Sequence, residues 1–153
     1  MQPAYSVERV YAYPLEKLWQ AWTQAAALQS WYHGVEHRCV PDSVTEDAAV
    51  GAIWSVGIDV PQYNIQVFFY GTYSTVTPQT QLVHSMHYTE MAEEFAIKDM
   101  STPAHRVVID FEQRPGGTWV RFAQYGDMPA EQIPLATAGM QSYFDSLQNY
   151  LDQ

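Results

Sequence analysis

The apolar residues of this chain change period three times. In "YSVERVY" the residues Tyr5, Val7 and Tyr11 fall on alternate positions, the pattern of a half-buried strand. Arg9 shares that parity, so it either caps the edge of the buried face or points into a cavity. From Leu15 the period lengthens. Leu15, Leu18, Trp19 and Trp22 stand at i, i+3, i+4 and i+7, one stripe of an α-helix. Pro14 suits the first helical position, where its missing N–H would have no intrahelical partner. A second helical segment is expected from about Gln24, with Ala26, Leu28 and Trp31 available for burial. These two segments carry three of the five tryptophans, and their spacing predicts core packing rather than a binding surface.

After Gly34 the period returns to two. "AIWSVGIDV" puts Trp54, Val56, Ile58 and Val60 on one face. The next run offers Tyr63, Ile65, Val67, Phe69 and Tyr73, with Gly71 leaving a gap in the row. "QLVHSMHY" offers Leu82, His84, Met86 and Tyr88. "HRVVIDFEQ" and "TWVRFAQY" are joined at "RPGG", where Pro115-Gly116 fits the centre of a tight turn. If Arg114 faces Gly117, then Ile109 faces Phe122, Phe111 faces Val120, and Asp110 faces Arg121. Apolar meets apolar and acid meets base, as cross-strand pairing prefers. Across "TPQT" the same test sets Tyr73 opposite His84 and Thr75 opposite Leu82. Residues 133–151 return to helical spacing, with Ile133, Ala136, Met140, Phe144, Leu147 and Leu151 as the stripe and Tyr143 and Tyr150 beside it. Residues 89–103, "TEMAEEFAIKDMSTP", show no period that specifies an element.

This order predicts an α+β fold: a curved antiparallel β-sheet wrapped around a long C-terminal helix, with two short helices after the first strand. A meander buries one of its faces poorly unless something packs across it, and residues 133–151 are the one element long enough. Between sheet and helix we expect a cavity lined by Trp54, Phe69, Tyr73, His84, Met86, Tyr88, Met140 and Tyr143. Apolar walls with a few hydroxyl or imidazole groups are the usual composition of a small-molecule site.

Bulk composition narrows the function classes. At 153 residues and 47% hydrophobic content, one domain spanning residues 1–153 with a substantial core is expected. Seventeen acids against seven bases give a net charge of −10, so no basic patch is available for nucleic acid or an anionic membrane surface. No apolar run approaches the roughly 20 residues of a membrane span. "MQPAYSVERV" lacks the basic and apolar regions of a secretory signal, and the lone Cys39 fits a reducing compartment; the expected location is cytoplasmic. A monomer and a homodimer are equally compatible with these numbers.

Candidate chemistry is sparse. His33, His37 and Cys39 form H-x3-H-x-C, but a structural zinc needs four convergent ligands and no partner pair exists; surface polarity is the better reading, and no metal is expected. His84 should point inward among apolar neighbours. It is expected to be a neutral imidazole hydrogen-bonded to a hydroxyl such as that of Tyr73, or a polar anchor for a ligand. Asp59, Asp110 and Glu112 lie on polar strand faces and read as solvated. No nucleophile elbow, phosphate loop, dinucleotide fingerprint or metalloprotease motif appears, and no cofactor or catalytic residue is assigned.

Several longer stretches resemble a known family. "AYPLEKLWQAWTQAAALQSWY", "VGAIW", "GTYSTVTPQTQLVHSM" and "PGGTWVRF" are similar, in order, to the signature of the domain named for the activator of heat-shock protein 90 ATPase, in the START/SRPBCC helix-grip superfamily. Ala25 stands where that family usually has proline, Ala52 replaces a glycine, and Tyr143 takes the place of a common tryptophan. The resemblance implies the helix-grip fold and a role as a small hydrophobic or aromatic ligand-binding domain. It also implies two alternatives: a chaperone partner, or a cyclase or hydrolase using His84 with Tyr73 or Tyr88. A shared fold leaves function open.

Overall fold

The computed structural model describes residues 1–153. The chain begins with β1 (Tyr5–Tyr11), followed by α1 (Leu15–Thr23) and α2 (Ala25–Trp31). Five strands come next in chain order: β2 (Arg38–Cys39), β3 (Ile53–Val60), β4 (Ile65–Thr77), β5 (Gln81–Thr89) and, after the short α3 (Ala92–Ile97), β6 (His105–Arg114). The last strand, β7 (Gly117–Tyr125), leads to α4 (Ile133–Leu151). All strands pair antiparallel in one sheet ordered β1-β7-β6-β5-β4-β3-β2, curled as a half-barrel around α4.

The helices start where their sequence permits. Pro14 is the extended residue before α1 rather than its first helical position, and α1 ends where Gln24 turns extended (φ −87°, ψ 129°). That break re-aims α2 so that Ala27, not Ala26, joins Leu28 and Trp31 in the core. Trp22 is the hub. Its ring centroid lies 4.7 Å from that of Trp31, 6.0 Å from Phe144, 6.1 Å from Tyr32 and 6.4 Å from Phe111 and Phe122. The Trp22 indole N–H is sealed without a hydrogen-bond partner, so this cluster is held by aromatic packing alone. Around it the polar tips are satisfied: Trp31 Nε1 donates to the Ala21 carbonyl (2.8 Å), Tyr11 Oη to that of Phe144 (2.9 Å) and Ser146 Oγ to that of Trp31 (2.7 Å). Trp19 is only half-buried, edge-on to Phe111 at 5.2 Å. Arg9 points inward from β1, ion-pairs with Asp145 of α4 at 2.9 Å and lies against the Phe144 ring.

The tight "RPGG" turn holds the β6–β7 register as its pairing pattern requires, with Ile109 opposite Phe122, Phe111 opposite Val120 and Asp110 opposite Arg121. Asp110 nonetheless spends its carboxylate on Gln81 Nε2 of β5, at 2.8 Å. Asp59 is likewise engaged, by Arg38 at 2.7 Å across β2 and β3. Across "TPQT" Tyr73 does face His84, but Thr75 pairs with Val83 and Val76 with Leu82. A bulge between Tyr73 and Thr75 adds one residue to β4 and shifts everything beyond it. At the other end, Tyr63 lies before β4 and is 76% exposed, and Ile65 is also exposed.

Residues 89–103, unreadable by period, form a strap on the convex side of the sheet. Phe95 of α3 stacks on Phe68 (4.8 Å) and His87 stacks on Tyr70 (4.9 Å), burying the outward residues of β4. Thr102 is hydrogen-bonded to His87 Nδ1 at 3.0 Å, which ties the end of the strap to β5.

Candidate functional site: a cavity between sheet and helix

A cavity of about 940 Å³ lies between the concave face of the sheet and the first half of α4 and continues past Met86, where β5 loses its β6 partner, to Tyr70, His87, Thr89 and the 89–103 strap. Its position follows from the residues α4 offers there. Ala136 and Gly139 are too small to reach the sheet, and a Cβ added at Gly139 would meet nothing within 4 Å. From Phe144 onward the stripe is bulky and fully buried, and the space closes. Phe69, Met86, Phe122 and Met140 make the apolar wall, and Tyr5, Tyr32 and Tyr143 supply rings with hydroxyls. The rest of the lining is polar, with the exposed acids Glu94, Asp99 and Asp127, the half-buried His105 and the buried Gln124. Gln124 Nε2 donates to His105 Nδ1 at 2.8 Å, which leaves the ring proton of a neutral His105 on Nε2. The Asp99 carboxyl is held below its usual range, chiefly by the hydrogen bond from the Ser101 hydroxyl.

Of the eight residues the sequence suggested, Phe69, Met86, Tyr88, Met140 and Tyr143 line this cavity. Tyr88 sits at its rim, 54% exposed. Trp54, Tyr73 and His84 are on the inward side of their strands but do not line the cavity; they are buried, at 3%, 2% and 1% exposure. The reason is Gly71. A Cβ there would stand 1.9 Å from the Ser85 carbonyl oxygen, so only glycine fits, and in the row that Gly71 leaves without a side chain Trp54 of β3 and His84 of β5 meet across β4. Their rings stack at 3.9 Å and 22°, filling the space that alternation alone would leave open.

This packing settles the chemistry open to His84. Its Nδ1 is 2.8 Å from the Ser85 carbonyl, which can only accept, so Nδ1 carries the proton; the Tyr73 ring is edge-on at 5.7 Å and makes no hydrogen bond to it. Burial lowers the His84 pKa to about 4, with the Ser85 carbonyl opposing. The imidazole is neutral near pH 7 and stacked on Trp54, outside the cavity lining.

The H-x3-H-x-C run is also used internally. Cys39 is buried rather than on the surface; its Sγ donates to the Tyr32 carbonyl at 3.3 Å, and burial pushes its thiol up to about 12. His33 Nδ1 bonds the Gly34 carbonyl at 2.7 Å. No group of three His, Cys, Asp or Glu side chains gathers anywhere as a metal site would require.

The family model for the Activator of Hsp90 ATPase homolog 1-like protein matches residues 12–152. The chain belongs to this family. Its fold recurs in the family protein from Silicibacter pomeroyi, with a TM-score of 0.80 at 16% identity over 97% of this chain and 96% of that one. Protein CV1439 from Chromobacterium violaceum aligns with a TM-score of 0.76 at 19% identity, again over 97% and 96%. DynU16, a protein in the dynemicin biosynthetic locus, aligns with a TM-score of 0.71 at 16% identity over 97% of this chain but 46% of its own. At these identities the likeness is one of fold. No curated protein matches the sequence. No helix of this family member is long and apolar enough to cross a membrane.

Several lining residues escaped the sequence reading. Tyr5 and Phe122 were legible as inward residues by alternation, and only the shortfall of bulk at Ala136 and Gly139 would have said that they are left uncovered. Tyr32 follows α2 and so lies outside both helical stripes, while Asp127 and Met128 belong to the β7–α4 connection, which has no period.

Proposed function

We propose that this chain is a cytoplasmic, single-domain binder of a small, largely apolar or aromatic molecule, held without a cofactor in the cavity between sheet and α4. The observation that carries the reading is the cavity itself: about 940 Å³, within the range of small-molecule sites, with an apolar wall of Phe69, Met86, Phe122 and Met140 beside a polar, partly acidic remainder. A ligand there would touch Phe69, Met86, Met140 and Tyr143, with Tyr88 at the rim. Trp54, Tyr73 and His84 would act as the rigid floor beneath it. The occurrence of the fold in a protein of a biosynthetic locus is compatible with small-molecule work.

The test is saturable binding of N-phenyl-1-naphthylamine, an uncharged dye that brightens in apolar sites. The expected result is stoichiometric binding, abolished by Gly139→Trp, which fills the space with an indole. Absence of saturable binding in the unmodified protein refutes the reading. The family description favours a second reading, an interaction with the Hsp90 chaperone. Co-sedimentation of purified chaperone with this chain, unaffected by Gly139→Trp, is the result that reading requires.

A further inference from the structure

Three buried or half-buried tyrosines of the cavity lining carry unused hydrogen-bonding groups. Two other tyrosine hydroxyls near α4 are engaged: Tyr11 donates to the Phe144 carbonyl and Tyr13 to Asp152. Tyr5, Tyr32 and Tyr143 have no protein partner. The one sealed side-chain nitrogen or oxygen without a partner is Trp22 Nε1. The three phenolic oxygens are therefore not fully sealed, and all three residues line the cavity. Tyr32 and Tyr5 are themselves only 4% and 8% exposed. Tyr32 and Tyr143 meet edge to face at 5.1 Å, and Tyr5 packs on Phe122 at 6.1 Å. Burial first, and then one another's proximity, raises the pKa of Tyr32, while burial raises those of Tyr5 and Tyr143; all three remain protonated donors.

The charged groups of the lining are of one sign. Glu94, Asp99 and Asp127 are exposed acids, no lysine or arginine lines any part of the cavity, and His87 and His105 are its only basic side chains. A ligand carboxylate would meet repulsion from these acids and no lysine or arginine inside, where an unpaired ion is costly. An uncharged acceptor oxygen meets neither obstacle and satisfies donors that otherwise have none.

We propose that Tyr5, Tyr32 and Tyr143 form a donor cluster that reads an uncharged carbonyl oxygen, as in an aryl ketone, lactone or quinone, at the buried end of the ligand. The aromatic body then lies against Phe69, Met86 and Met140. This rests on the cavity being a ligand site and specifies which class it selects.

The experiment is a matched pair of tricyclic competitors, fluorene and 9-fluorenone, which differ by one carbonyl, each displacing N-phenyl-1-naphthylamine. In a purely apolar cavity the ketone gains nothing and loses its hydration, so fluorene binds at least as well. With the donor cluster, 9-fluorenone binds about tenfold more tightly, the scale of one or two net hydrogen bonds. Tyr32→Phe and Tyr143→Phe keep the rings and their packing, and are expected to erase the ketone preference, read as the ratio of 9-fluorenone to fluorene affinity within each variant. Tyr5→Phe, farther from α2, provides the same reading should either of those variants melt early. Dye that does not bind the unmodified protein sinks the cavity reading and this inference together. Dye that binds, with fluorene equal to or better than 9-fluorenone, overturns the donor cluster alone. So does a ketone preference that survives in the tyrosine variants.

Discussion

Residues 133–143 and 144–151 of α4 belong to one helix, continue one apolar stripe and face one sheet, yet the first stretch borders a cavity and the second a solid core. The difference is side-chain volume and what comes to meet it. Phe144, Leu147 and Leu151 are met by Trp22, Trp31 and Tyr11, delivered by α1, α2 and β1, and all are essentially unexposed. Ala136, Gly139 and Met140 instead border the cavity, and the two smaller ones leave the space beside them open. A hydrophobic pattern therefore announces which side of an element turns inward. It does not announce whether the interior at that point is full.

The strongest way to break this comparison is at the full end. Trp22→Ala removes the hub of five aromatic contacts and is expected to cost about 3–5 kcal/mol in denaturant melts, the usual range for a large buried aromatic. A loss below about 1 kcal/mol would mean that this end is loosely packed after all. Trp19→Ala, at a half-buried position, is expected to cost clearly less.

The next effect tests the floor between the two ends. Folded His84 titrates near 4 and an unfolded histidine near 6.5, so on acidification the unfolded chain takes up this proton first. The contribution is complete above about pH 6.5 and drains as pH falls to about 4, where about 3 kcal/mol has gone. Stability measured across that window in the unmodified protein and in His84→Phe should differ in slope by this amount. Parallel curves would show that His84 is wet, and so part of the cavity rather than its floor.

The smallest effect sharpens the open end. Gly139 lies in the interior of α4 with free space where a side chain would go, so Gly139→Ala should stabilise the protein by about 0.5–1 kcal/mol, the difference in helix propensity. A destabilised variant would mean that the space beside Gly139 is already filled.

What was legible in the sequence follows the same division. The helix over 133–151, the order of elements and the β6–β7 register could be read because each rests on local periodicity or on a tight turn whose length leaves no freedom. The β4–β5 register slipped by one residue past Tyr73, because a bulge is a choice between nearly equal pairings that no alternation records. His84 shows the deeper limit. Its inward direction was in the sequence, but its depth depends on Gly71 letting Trp54 cross over β4, a contact between three strands. The strap over 89–103 was invisible because Phe95 buries its ring against the convex face through a helix of only six residues, too short to show a period.

The pairing of β1 with β7 bears on how the molecule is made. Residues 5–11 find their partners only at 118–124, and the Trp22 cluster needs Phe111, Phe122 and Phe144 as well. During synthesis the first strand and its two tryptophan-bearing helices must wait, greasy and unpartnered, until nearly the whole chain has left the ribosome. Such long-range closure makes for slow folding and a long exposure to aggregation. Loss of the last two turns of α4 would therefore strand the beginning of the chain rather than merely fray its end.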